Sequence, residues 1–335
     1  MITKNSWANF AKLTACAALL TAVVASPVHH ANAETVLRLG HTTTPESGYG
    51  VFATTWAQKA SELSGGDINI KVFHNAQLGD EKALIEAMRL GTVDAAIITS
   101  DVLVSHVPEF TVLGLPMAFS SYDQAHEFQN GPGGKMLLDK LASVDLVGFS
   151  YADVSFRSIG NNIRPINKPD DLKGIKLRVI QSPLPIKVME ALGASPTPIA
   201  WQETVPALKQ GVVDGLATGN AYYYIGRVYD YTKYFSFTNH AYSAMLSLVS
   251  KSRFNSLDKK TQDTLRDAAV AAAPAANKVL ADIEMKMVPL MEKEGTIINR
   301  ISDVAPFREK VQPIWADFEE KIGAELMAEL RKIQK

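Results

Sequence analysis

The sequence predicts an α/β fold of two lobes that share crossing strands, with a cleft between them. Three observations carry this. Strand-like and helix-like patterns alternate as β-α-β-α-β over residues 36–99. A second alternation of the same kind occupies residues 146–217. No polar linker lies between them, so the two units are not independent domains. Clefts between such units are where small ligands bind.

The elements follow in order. Val36 to His41 reads as a short strand, and Gly48 to Leu63 as a helix with Val51, Phe52, Thr55, Trp56, Ala60 and Leu63 at helical spacing. Gly65-Gly66 stops that helix. Asp67 to Phe73 alternates Ile68, Ile70 and Val72 to one side, which is a strand. Asp80 is placed to cap a helix from Glu81 to Leu90, which Gly91 ends. Val93 to Thr99 is a buried strand.

In the second unit, Leu146 to Tyr151 and Val154 to Ile159 read as two strands. Ile175 to Ile180 is a third strand, and Val212 to Ala217 a fourth. Ile186 to Leu192 and Glu203 to Gln210 are helices stopped by Gly193 and Gly211. Tyr242 to Ser250 is a strand. Asp258 to Glu294 is one long Ala-rich helix in which Pro274 and Pro289 predict kinks. Thr296 to Ile301 is a short strand, and Pro306 to Lys335 is mostly helix.

The chain has 335 residues, 47% hydrophobic and 21% charged, with a formal net charge of −1. That balance gives no support to nucleic-acid binding. A single cysteine, Cys16, excludes an intrachain disulfide and a Cys-rich zinc site. Residues 1–33 have the three parts of an export signal. Lys4 and Lys12 precede the apolar run Leu13 to Val24, and Ala31-Asn32-Ala33 closes it. Cleavage after Ala33 leaves 302 residues with a charge of −3 and places them outside the cytoplasm, without cysteine. Leu13-Thr14-Ala15-Cys16 also looks like a lipoprotein box, but most of the apolar region lies after it rather than before.

Signals for catalysis are lacking. The histidines are scattered, H-E-x-x-H is absent, and so is G-x-S-x-G. The histidines therefore read as surface or capping residues, with no metal and no cofactor expected. Gly131-Pro132-Gly133-Gly134-Lys135 fails the phosphate-loop pattern and reads as a helix start after a turn. These absences favour binding over catalysis.

The most informative stretch contains Phe156-Arg157-Ser158, then Lys168-Pro169-Asp170-Asp171-Leu172-Lys173-Gly174-Ile175-Lys176-Leu177-Arg178-Val179. It continues through Ala191-Leu192-Gly193-Ala194-Ser195-Pro196-Thr197-Pro198 and Trp201-Gln202-Glu203 to Gly211-Val212-Val213-Asp214-Gly215. It resembles the solute-binding subunit of TRAP (tripartite ATP-independent periplasmic) transporters, the DctP family. Gln77-Leu78-Gly79-Asp80, Gly91-Thr92-Val93-Asp94 and Thr238-Asn239-His240-Ala241-Tyr242 extend the likeness over nearly the whole mature chain.

The resemblance implies a two-lobed periplasmic solute-binding fold. Lobe I would comprise 34–152 with about 243–282, and lobe II 153–242 with about 283–335. It implies a receptor, not an enzyme, for a carboxylate-containing organic acid such as a C4-dicarboxylate. The partners implied are a small and a large membrane permease subunit. Arg178 looks like the arginine that pairs with the ligand carboxylate, a role suited to two parallel guanidinium donors. On alternation alone its face of the strand is either solvent or cleft. Arg157 matches a second arginine near the ligand or bracing the hinge. Trp201 sits where the family lines the pocket with an aromatic, and core packing is its other reading.

After Asp214-Gly215 the chain departs from the family pattern. Thr218 stands where a ligand-binding Asn is common, offering a hydroxyl without an amide. Tyr222, Tyr223 and Tyr224 add either an aromatic wall or helix core. Thr42, Thr99 and Ser100 fall at strand ends facing the expected cleft. A receptor for another importer or a sensor stays open on the residues alone. An enzyme on this scaffold would need a nucleophile–base pair that no motif supplies.

Overall fold

Nine strands form one mixed sheet in the computed structural model, which describes residues 34–334. The export-signal reading, Cys16 included, lies outside the described residues. The strands are β1 (Thr35–Gly40), β2 (Ile68–Phe73), β3 (Ala95–Thr99), β4 (Leu146–Asn161), β5 (Lys176–Val179), β6 (Ser195–Pro198), β7 (Gly215–Gly219), β8 (Tyr234–Ser250) and β9 (Ile297–Arg300). Their order is β2-β1-β3-β8-β4-β7-β5-β6, with β9 paired to β8.

This order explains the two rhythms of the sequence. β1, β2 and β3 pair in parallel at one end. β5, β6 and β7 pair in parallel at the other. Between them β4 and β8 run antiparallel along most of their length, from Leu146 opposite Ser250 to Asn161 opposite Tyr234. The far end of β8 pairs β3, and the far end of β4 pairs β7. Two long strands therefore cross from one half of the sheet to the other.

β4 corrects the sequence expectation of two strands. The two residues between the expected strands, Ala152 and Asp153, belong to one continuous strand; Asp153 is buried, and its carboxylate accepts hydrogen bonds from Tyr242 and His126. The chain absorbs the irregularity as register shifts, one of them between Asp153 and Ser155. β8 likewise begins eight residues before the expected Tyr242. Buried Ser236 and Thr238, and Asn239 at φ 41°, break the apolar alternation there.

The helices form for local reasons that were mostly visible. Ser47 Oγ accepts from Gly50 N–H to cap Gly48–Ser64, and Gly65 at φ 68° ends it. Asp80 Oδ1 accepts from Ala83 N–H to cap Glu81–Arg89. Pro132–Lys140 is the helix that opens at the Gly-rich turn. Lys259–Lys293 continues through Pro274 and Pro289 as one helix. Its Ala268, Ala269, Ala272 and Ala276 bury against Phe52, Trp56 and Met245, and small side chains allow that close approach.

Candidate functional site

The parallel strands of both halves end toward the same cleft. Loops after the carboxyl ends of such strands are where α/β sheets place ligands. Thr42 and Thr43 follow β1, and Thr99 ends β3. Arg178 and Ile180 come from the end of β5, and Thr218 from β7. Together with residues from the connecting helices they line a cleft of about 570 Å³, measured to its solvent-open mouth.

Arg178 is buried, with 3% of its surface exposed, whereas Lys176 on the same face of β5 is exposed. The difference comes from the segment after β6. Ile199 O accepts from Arg178 Nε at 2.9 Å, and the Trp201 ring lies 5.7 Å from the guanidinium carbon. That bond fixes the fork, and among the described residues its two terminal nitrogens have no protein partner. Burial lowers the Arg178 pKa to about 9; Arg157 adds to the shift, while Glu81 and Asp101 oppose it. The guanidinium is therefore charged at neutral pH in a poorly screened place.

Arg157 is equally buried but engaged. Nη1 donates to Ser243 Oγ at 3.1 Å and Nη2 to Ala217 O at 3.1 Å. Ser243 Oγ in turn donates to Asp101 Oδ2 at 2.7 Å. Arg157 thus ties β4 to β7 and β8 while lending its charge to the cleft.

Trp201 and Thr218 also line the cleft, as does Thr42, whose carbonyl accepts from Gln202 Nε2 at 2.8 Å. That bond joins the two halves across the opening. Thr99 lines the cleft too, with its N–H and hydroxyl both donating to Glu81 Oε1 at 2.8 Å. Tyr49 shares the Thr99 hydroxyl and packs edge-on against Tyr222 at 5.5 Å. Of the tyrosine run, only Tyr222 faces the cleft. Tyr223 is buried with its hydroxyl on Thr232, and Tyr224 stacks on Tyr229.

Ser100 is a correction to the expected lining. It follows Thr99 into the helix Ser100–Leu103, turns away from the cleft, and accepts from Ala244 N–H at 3.4 Å. The histidines need correcting as well. His41 and His240 are buried, and burial lowers both pKa values to about 3. His41 Nε2 lies 2.7 Å from His74 Nδ1, and His240 Nδ1 bonds Thr238 at 2.7 Å.

Sequence reasoning missed Glu81, Tyr49 and Gln202. Glu81 read only as the start of a helix. Its role comes from a fold contact with Thr99, 18 residues away. Burial pushes its carboxyl above the usual range, against the two bonds from Thr99 and the charge of Arg178. Among the described residues, no group of three or more His, Cys, Asp and Glu side chains is placed to hold a metal ion.

With this geometry in place, comparison with known proteins is informative. The model of the bacterial extracellular solute-binding protein family 7, DctP, matches residues 39–321. The chain belongs to this family. Its members are periplasmic solute receptors of TRAP transporters, so the likeness seen in the Lys168–Gly215 stretch reflects membership. A solute-binding protein of Verminephrobacter eiseniae is 30% identical over 91% of each chain. The sugar acid binding protein DctPAm of Advenella mimigardefordensis, solved with galactonate, superposes with a TM-score of 0.86 at 30% identity. The match covers 90% of this chain and 98% of that one. A TRAP solute-binding protein of Sulfurospirillum deleyianum, solved with succinate, gives 0.84 at 26% identity, covering 90% and 99%.

Proposed function

We propose that this DctP-family receptor closes its cleft on an organic acid and holds the acid's carboxylate on Arg178. The observation that carries the proposal is a buried guanidinium, fixed through Nε to Ile199 O, with both terminal nitrogens free toward the cleft. Those nitrogens match the two oxygens of a carboxylate. Related receptors solved with galactonate and succinate support an acid as the ligand class.

The crossing strands β4 and β8 serve as the hinge, and the cleft lies between lobes I and II. Thr42 and Thr99 contribute contacts from lobe I. Trp201, Thr218 and Arg157 contribute from lobe II. Trp201 covers one side of the site, and Thr218 offers a hydroxyl to the body of the ligand. Closure needs only that the ligand prefer the closed form. The closed form is then recognised by a small and a large TRAP permease subunit. The protein acts after export to the periplasm, with the signal cut after Ala33, and carries out no turnover.

A thermal-shift screen against organic acids tests this, followed by calorimetry on the hits. At least one acid should raise the melting temperature and bind with micromolar or tighter affinity. Stabilisation by no acid, or turnover of the bound acid, would overturn the proposal.

A further inference from the structure

We propose that the cleft takes an acid with one carboxylate and a hydroxyl-bearing body, and that Glu81 excludes a second carboxylate. This rests on the reading that Arg178 holds the ligand's carboxylate. It concerns the wall supplied by the other half of the sheet.

Among the described residues lining the cleft, Arg157 and Arg178 are the cations, and both come from the half built around β4 and β5. Arg157 gives one N–H of each terminal nitrogen to a protein oxygen, which holds it on the same side as Arg178. The cationic donors therefore all stand on one side of the cleft. A dicarboxylate would need a second cation or a free cluster of N–H groups on the far wall. That wall carries carboxylates instead, Asp80 and Glu81. The helix N-terminus there does not serve either, because Asp80 already caps it through Ala83 N–H.

Glu81 is held by Thr99 rather than by an ion pair with Arg178. Oε1 accepts both the N–H and the hydroxyl of Thr99, which fixes the carboxylate plane. Oε2 has no protein hydrogen bond among the described residues, and the side chain lines the cleft. Burial works against ionisation of this carboxyl, while the two Thr99 donors and the charge of Arg178 favour it; the ionised carboxylate only accepts, so the group it selects is a ligand hydroxyl. A second ligand carboxylate would meet like charge in a desolvated site, which is rejection by repulsion. The remaining polar lining, including Thr43, Tyr49 and Gln181, consists of hydroxyls and amides that bond hydroxyls readily.

Matched pairs of sugar acids test this. Galactonate and galactarate share the hydroxyls of the four inner carbons and differ at the far end, where a primary alcohol is replaced by the second carboxylate, and gluconate and glucarate do the same. Calorimetry on the wild-type receptor should show the better-bound aldonate at least tenfold tighter than its dicarboxylate partner and than succinate. Glu81→Gln keeps the shape and removes the charge, and should shrink that ratio at least tenfold. A wild-type preference for galactarate, glucarate or succinate overturns the inference while leaving the receptor reading intact. So does an unchanged ratio in Glu81→Gln. If no acid binds, or Arg178→Ala leaves every affinity unchanged, the receptor reading itself fails and takes this inference with it. The wild-type comparison stands on its own should the variant not fold.

Discussion

Replacing Arg178 with alanine removes the group on which ligand capture depends. Nε is occupied by Ile199 O, so the ligand is offered two terminal nitrogens. A hydrogen bond to a charged group contributes about 1.5–3 kcal/mol. Two such bonds, each at the low end, come to about 3 kcal/mol, or roughly 100-fold in Kd. The variant also removes the positive charge that faces Glu81 and Asp101, which makes the site less attractive to an anion. Calorimetry with the best acid from the screen measures the loss directly. Arg178→Lys keeps the charge without the parallel donors, and should fall between wild type and alanine. A melting curve for each variant separates lost binding from lost folding. A folded Arg178→Ala protein that binds within threefold of wild type would refute the reasoning.

Three further outcomes follow from particular contacts. Gln202→Ala removes the bond to Thr42 O that joins the halves. A neutral hydrogen bond is worth about 0.5–1.5 kcal/mol, so ligand release in stopped flow should quicken by about two- to tenfold; an unchanged off-rate counts against closure through this bond. Gly160→Ala places a Cβ 2.1 Å from the Tyr223 ring beside a crossing strand, and should lower stability by about 1–3 kcal/mol in chemical denaturation. Wild-type stability there would show that the ring can move aside. His41 and His240 are neutral in the fold, with pKa values near 3 against 6.5 when unfolded. Below pH 6.5 the unfolded chain binds protons that the fold refuses. Each histidine therefore removes about 1.4 kcal/mol per pH unit as pH falls from 6.5 toward 3. Melting temperatures should drop across that range, less steeply in His240→Gln; equal slopes would remove His240 from the account.

Much of the fold was legible because it is written in periodicity. Leu37 and Leu39 alternate with exposed Arg38, and Gly65, Gly193 and Gly211 end their elements where the chain must turn at positive φ. What escaped depends on contacts distant in sequence. β4 was split between Tyr151 and Val154, and a buried carboxylate in a strand makes sense only once Tyr242 and His126 are beside it. Alternation put Lys176 and Arg178 on one face but could not say that the Ile199–Trp201 segment covers only the second. The buried histidines escaped for the same reason. Glu81 looked like an ordinary first-turn acid, and its meaning comes from Thr99 arriving at the end of another strand. Ser100 shows the reverse error: sharing a strand end with Thr99 did not give it the same direction.

The most direct test of the central claim is a crystal structure of the receptor with the acid that stabilises it most. The account predicts a carboxylate within hydrogen-bond distance of both terminal nitrogens of Arg178, in the cleft beside Trp201. A ligand whose carboxylate lies away from Arg178, with that guanidinium still unpaired, would contradict it.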